Sequence, residues 1–146
     1  MHAANPCESY RQIATQTAPP GQLVLMLYDG AIRFLELGVA GFSIDDPAES
    51  NMAVHNNLKR ALSIIRELNL SLNMEQGGDF AAEMRRLYDY FDRRICESNL
   101  RKRPEGVREV IGHLNVLRNA WATMLNRQGL APDSLSASET GSAPTT

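Results

Sequence analysis

Apolar side chains recur along this chain in alternating steps of three and four residues, in long blocks separated by proline and glycine. That period stacks one side chain above another on a single helix face, whereas a half-buried strand needs a period of two. The most regular block runs through Val107, Val110, Leu114, Leu117, Trp121 and Met124. Leu58, Ala61, Ile65, Leu68 and Leu72 repeat the pattern upstream. Between them, Phe80, Met84, Leu87, Phe91 and Ile95 form a further stripe, with Tyr88 beside it. Strand-like alternation is never sustained, and β-branched residues are sparse.

The punctuation sets the boundaries. Pro19-Pro20 opens a helix over about 20–41, which a glycine closes. A second runs over about 49–73, after the loop at Asp45-Asp46-Pro47. A third follows Gly77-Gly78, with Asp79 as its N-cap, and reaches about residue 100. The fourth starts at Pro104 and ends near Arg127, before Gly129. Four amphipathic helices of similar length and short turns predict an all-α fold, an antiparallel four-helix bundle. A short extra N-terminal helix is expected over residues 7–16. Residues 1–129 are expected to form a single domain. The Ser/Thr-rich segment 130–146 carries one large apolar side chain, Leu135, and is expected to be a disordered tail.

The first helix breaks the simple stripe. Leu23-Val24-Leu25-Met26-Leu27-Tyr28 is apolar throughout, so it wraps the helix. One seam holds Leu23, Leu27, Gly30, Phe34 and Leu37, and a second holds Val24, Tyr28, Ala31, Leu35 and Val39. Leu25 and Met26 lie on neither. Such a helix is either covered entirely by the bundle and the N-terminal segment, or left with a groove for a partner segment.

Composition narrows the classes. The chain has 146 residues, 43% of them hydrophobic and 22% charged, with a net charge of −2. Polyanion binding is not the default at that charge. The charge is uneven: residues 1–78 sum to −3 and residues 79–127 to +3. Two cysteines, Cys7 and Cys96, exclude a disulfide framework and a four-cysteine metal site. No apolar run approaches the roughly 18 residues of a membrane span. The opening Met-His-Ala-Ala-Asn-Pro lacks the basic-then-apolar order of a secretory signal, so a cytoplasmic protein is expected.

Catalytic and metal chemistry find little support. A di-iron bundle needs two Glu-x-x-His pairs and two further glutamates. Here Glu109 and His113 stand four apart with no second copy, and His55 has Met52 three residues before it. Cys96 reads as a helix-packing thiol. Nucleophile elbows and phosphate-binding glycine loops are missing. Asp89 and Asp92, near Tyr88 and Tyr90, read as solvated or arginine-paired carboxylates. No enzyme, cofactor or metal is expected. Arg93-Arg94 and Arg101-Lys102-Arg103 form a basic patch without interleaved aromatics, so nucleic acid is not expected. That patch is either a solvated helix end or a docking site for an acidic partner.

A larger pattern ties these residues together. Asn5-Pro6, Tyr10, Thr17-Ala18-Pro19-Pro20-Gly21-Gln22-Leu23 and Met26-Leu27-Tyr28-Asp29-Gly30-Ala31 resemble the FliS family of flagellin export chaperones. The likeness continues through Asn57-Leu58, Lys59-Arg60-Ala61, Ile64-Ile65, Glu67-Leu68 and Ser71-Leu72-Asn73. It resumes at Gly77-Gly78, Leu87-Tyr88-Asp89-Tyr90, Leu117-Arg118 and Ala120-Trp121, so that it spans roughly residues 5–127. Cys7 departs from it, since the family usually has tyrosine there. The resemblance implies a cytoplasmic all-α bundle that binds the C-terminal segment of flagellin. Such a protein would prevent premature polymerisation and present its client to the export gate.

A client arriving as an amphipathic segment needs an apolar surface. The expected partner-binding residues are therefore Tyr10 and Ile13, covering part of the groove when empty, with Leu23, Leu25, Met26, Leu27 and Tyr28. Trp121 is expected as a buried anchor of the fourth helix. The free chain is expected to be a monomer or weak homodimer. The alternative is a regulatory bundle that holds an acidic partner through Arg93, Arg94, Arg101, Lys102 and Arg103.

Overall fold

The computed structural model describes residues 20–129. The expected helix over residues 7–16, with Tyr10 and Ile13, and the tail over 130–146 lie outside the described residues. Helix α1 (Pro20–Gly41) begins at the second proline of the Pro-Pro pair. Helix α2 (Pro47–Leu70) starts two residues before the expected Glu49, because Asp46 caps it: its carboxylate accepts from Glu49 N at 2.9 Å. Ser50 Oγ donates to Gly41 O at 2.8 Å and closes the α1–α2 corner. At its far end α2 stops at Leu70, three residues short of the expected 73, and Ser71 N–H bonds back to Glu67 O.

Helix α3 (Met74–Arg101) corrects the expected start at the double glycine. Asn73, not Asp79, is the cap, and its side chain accepts from Gln76 N at 2.9 Å. The glycines still matter, because Gly78 takes φ 54°, ψ −132° and interrupts the helix just after its first turn. That region is open to glycine and costly for residues with a Cβ. Lys102, at φ 53°, ends α3 in a left-handed conformation, and helix α4 (Glu105–Arg127) follows behind Pro104.

Connections of three to five residues make consecutive helices antiparallel neighbours. Contacts also join α4 to α1 and close the ring, so the chain is an all-α, antiparallel four-helix bundle. Inside it Leu35, Leu58, Ile65, Phe91, Ile95, Val110 and Leu114 are shielded from solvent. Helices α1 and α2 approach closely at Gly38, where a Cβ would sit 2.7 Å from Leu58 Cδ2.

Burial revises three of the stripes. In α3 the inward row is Ala81, Met84, Tyr88, Phe91, Ile95 and Ser98, so Tyr88 is core and Phe80, expected inside, is 68% exposed. In α4 the row shifts by one residue at its end: Leu125 is buried while Met124 is 37% exposed. In α1 Leu37 is exposed, and the second seam carries the packing through Tyr28, Ala31 and Leu35.

Candidate functional site: an apolar cleft at one end of the bundle

At the end where α1 and α3 begin and α2 and α4 finish, the helices do not close on one another. They leave an apolar cleft of about 470 Å3. Val24 and Tyr28 of α1 form one wall, and Leu68 of α2 with Leu72 of the α2–α3 connection forms another. Phe80, Ala81, Met84 and Tyr88 come from α3, and Leu117, Trp121 and Met124 from α4. The break at Gly78 explains part of this opening. The main run of α3 begins only after Gly78, and Phe80 stands at its first exposed turn.

Polar atoms in this cleft are few, and each has a recognisable role. Tyr28 and Tyr88 meet hydroxyl to hydroxyl at 2.5 Å across the bundle. Burial pushes both phenols above their ordinary pKa, so both remain protonated at any physiological pH. Trp121 Nε1 donates to Gly21 O at 2.8 Å, which ties the end of α4 to the first turn of α1. The indole is therefore half-buried against the cleft, not the fully buried anchor expected of it. The reason is geometric: its hydrogen-bond partner lies in the terminal turn of α1, where the bundle ends.

Of the α1 residues expected at a partner site, only Tyr28 lines the cleft. Leu27 is buried in the main core. Leu25 is 7% exposed and packs on Leu125, with Trp121 and Ala122 alongside, so it is not the exposed apolar position expected of it. The antiparallel return of α4 supplies that cover, which the α1 sequence alone does not display. Leu23 and Met26 are half-buried. Phe80, Met84, Leu72 and Met124 were missed as candidates. All four lie on the apolar stripes of the sequence, and a stripe does not reveal where the bundle ends.

The other sequence candidates lie elsewhere. Asp92 takes a two-pronged contact from Arg66 at 2.6 and 3.0 Å, which holds its carboxyl below the usual range. Asp89 accepts from Asn69. Cys96 is exposed beside Asp92 and is not the packing thiol expected of it. Partial desolvation and the Asp92 carboxylate push its thiol pKa up, away from the reactive thiolate. Tyr90 and Arg94 both donate to Glu109, at 2.5 and 2.9 Å, and lower its pKa. Among the described residues no three His, Cys, Asp or Glu side chains converge on a possible metal position. Nor, among them, is any helix long and apolar enough to cross a membrane.

A cleft so lined suits the apolar face of a helical segment, anchored at spacings of three and four. The family model described as "Flagellar protein FliS" matches residues 3–128. Among similar proteins, the flagellar secretion chaperone FliS of Bacillus subtilis (strain 168) is 36% identical, over 83% of this chain and 86% of that one. The protein of the same name from Salmonella typhimurium (strain LT2) is 33% identical, over 83% and 90%. The one from Escherichia coli (strain K12) is 31% identical, over 91% and 98%. Bundle, match and relatives agree, and this chain belongs to the FliS family of flagellar secretion chaperones.

Proposed function

We propose that this chain is a cytoplasmic, non-catalytic export chaperone whose client is the C-terminal segment of flagellin. The client's apolar face occupies the cleft between Tyr28, Leu72, Phe80 and Trp121. While held there it cannot polymerise, and it is delivered to the export gate. The observation that carries this reading is the cleft itself: 470 Å3 of apolar space, rimmed by an aromatic ring left mostly in water. A monomeric protein seldom exposes such a surface unless something covers it. We further propose that Tyr10 and Ile13, which precede α1 in the sequence, cover part of the cleft when the client is absent.

Calorimetric titration with the C-terminal segment of a cognate flagellin tests the reading. Affinity should change no more than a few-fold between 0.05 and 0.5 M salt, because apolar contact is not screened. A steep loss with salt, or no binding, would count against it.

A further inference from the structure

Apolar contact alone leaves one feature of the cleft unused, the hydroxyl pair of Tyr28 and Tyr88. The two phenols come from α1 and α3, are 4% and 3% exposed, and meet at 2.5 Å. Both oxygens are thereby partnered, as is every buried side-chain nitrogen and oxygen among the described residues. The protons follow a different count. Burial keeps both phenols neutral, so the pair carries two O–H donors, and only one proton fits between the two oxygens. Whichever tyrosine donates, the other keeps an O–H with no acceptor, since neither makes a further hydrogen bond among the described residues.

The surroundings direct that proton. Both rings line the cleft, and on their other sides they belong to the apolar core. In an empty cleft solvent can accept the proton. A client that fills the cleft displaces the solvent, and a buried O–H left without an acceptor then weakens binding. The other side-chain donors of the lining are engaged: Trp121 Nε1 with Gly21 O at 2.8 Å, Ser71 Oγ with Leu68 O at 2.7 Å, and Asn73 Nδ2 with Gln76 Oε1 at 3.2 Å. Among the described residues no charged side chain lines the cleft.

Resting on the client reading above, we propose that the tyrosine pair selects a client with an uncharged oxygen acceptor at one position of its otherwise apolar face. An Asn or Gln amide, or a Ser or Thr hydroxyl, supplies that oxygen. An aliphatic side chain at the same place strands the O–H. A carboxylate accepts the proton but enters a cleft with no cation to pair it, so its desolvation is not offset. Backbone carbonyls of a helical client are already bonded within the helix, except in its last turn. The pair thus discriminates through the penalty on a wrong partner more than through the strength of the right one.

Double-mutant cycles between chain and client test this. Each Asn, Gln, Ser and Thr of a C-terminal flagellin segment is replaced singly by alanine. Every segment is then titrated calorimetrically into the full chain and into its Tyr28→Phe/Tyr88→Phe variant, which keeps both rings and removes both donors. At one position, loss of the oxygen should weaken binding to the native chain at least fivefold and to the double variant less than twofold. Tyr28→Phe alone and Tyr88→Phe alone each leave one O–H free, so both single variants should keep the fivefold dependence. An acidic residue at that position should weaken binding to the native chain more than alanine does. If the unaltered segment binds but no position couples to the tyrosines, or either single variant loses the dependence, this proposal is overturned and the client reading stands. A segment that does not bind the native chain overturns both.

Discussion

Phe80→Ala separates a cleft rim from a core, because the structure gives it different consequences for folding and for binding. A phenylalanine side chain presents roughly 150–250 Å2 to be buried. With Phe80 68% exposed, only about a third of that area is withdrawn from water in the free chain. At about 25 cal/mol per Å2 this is roughly 1.5 kcal/mol. Alanine's better helix propensity returns about 0.5 kcal/mol. The variant should therefore lose only about 1 kcal/mol of stability. The exposed remainder, on the order of 130 Å2, is what a client would cover, for an upper value of about 3 kcal/mol. Association recovers less than buried area suggests, so a tenfold or greater loss of affinity, about 1.4 kcal/mol, is expected. Urea unfolding followed by circular dichroism gives the first quantity, and calorimetry with the flagellin segment gives the second. Unchanged affinity in a folded variant would refute the placement of the client at this rim. A stability loss of about 3 kcal/mol would instead make Phe80 core.

Four further outcomes rest on packing and charge. Leu25→Gln should destabilise by about 2–4 kcal/mol, since it removes a buried contact with Leu125 and buries an amide there; a near-native urea midpoint would contradict that packing. Gly112→Ala should stabilise by about 0.8–1 kcal/mol, because nothing lies within 4 Å of the new Cβ. Gly38→Ala, which drives a methyl against the buried Leu58, should destabilise by about 1–2 kcal/mol, and matching thermal shifts in the two glycine variants would defeat the argument. Asp92 has a lowered pKa, so its pairing with Arg66 stabilises fully above the carboxylate's ordinary value of 3.8 and is lost as pH falls below it. Asp92→Asn should flatten the acid limb of the stability–pH curve slightly, by less than about 1 kcal/mol for a pair this exposed, and an unaltered limb would show the pair contributes nothing.

Helical periodicity, read against proline and glycine, is a local property, and it located all four helices to within a few residues. Their closure into a ring followed from short connections, which force antiparallel neighbours. Which side chains stay wet at the end of the ring is not local. Phe80 obeys the α3 stripe as well as Met84 does, yet it stands beyond the reach of the neighbouring helices because Gly78 breaks the turn before it. Leu25 lies off both α1 seams and is buried all the same, because α4 returns beside it. Position 98 shows the same limit: a serine among charged residues gives no sign that it is buried, and only the left-handed turn at Lys102 brings α4 against it.

The chain's single tryptophan lies on the proposed client surface, which makes it a direct reporter. A tryptophan-free C-terminal flagellin segment is titrated into the full chain while Trp121 emission is recorded. Burial of the half-exposed indole by the client should shift the emission to shorter wavelength, saturating at one segment per chain. Calorimetric binding of the same segment with Trp121 emission unmoved would place the client elsewhere on the bundle and contradict the account.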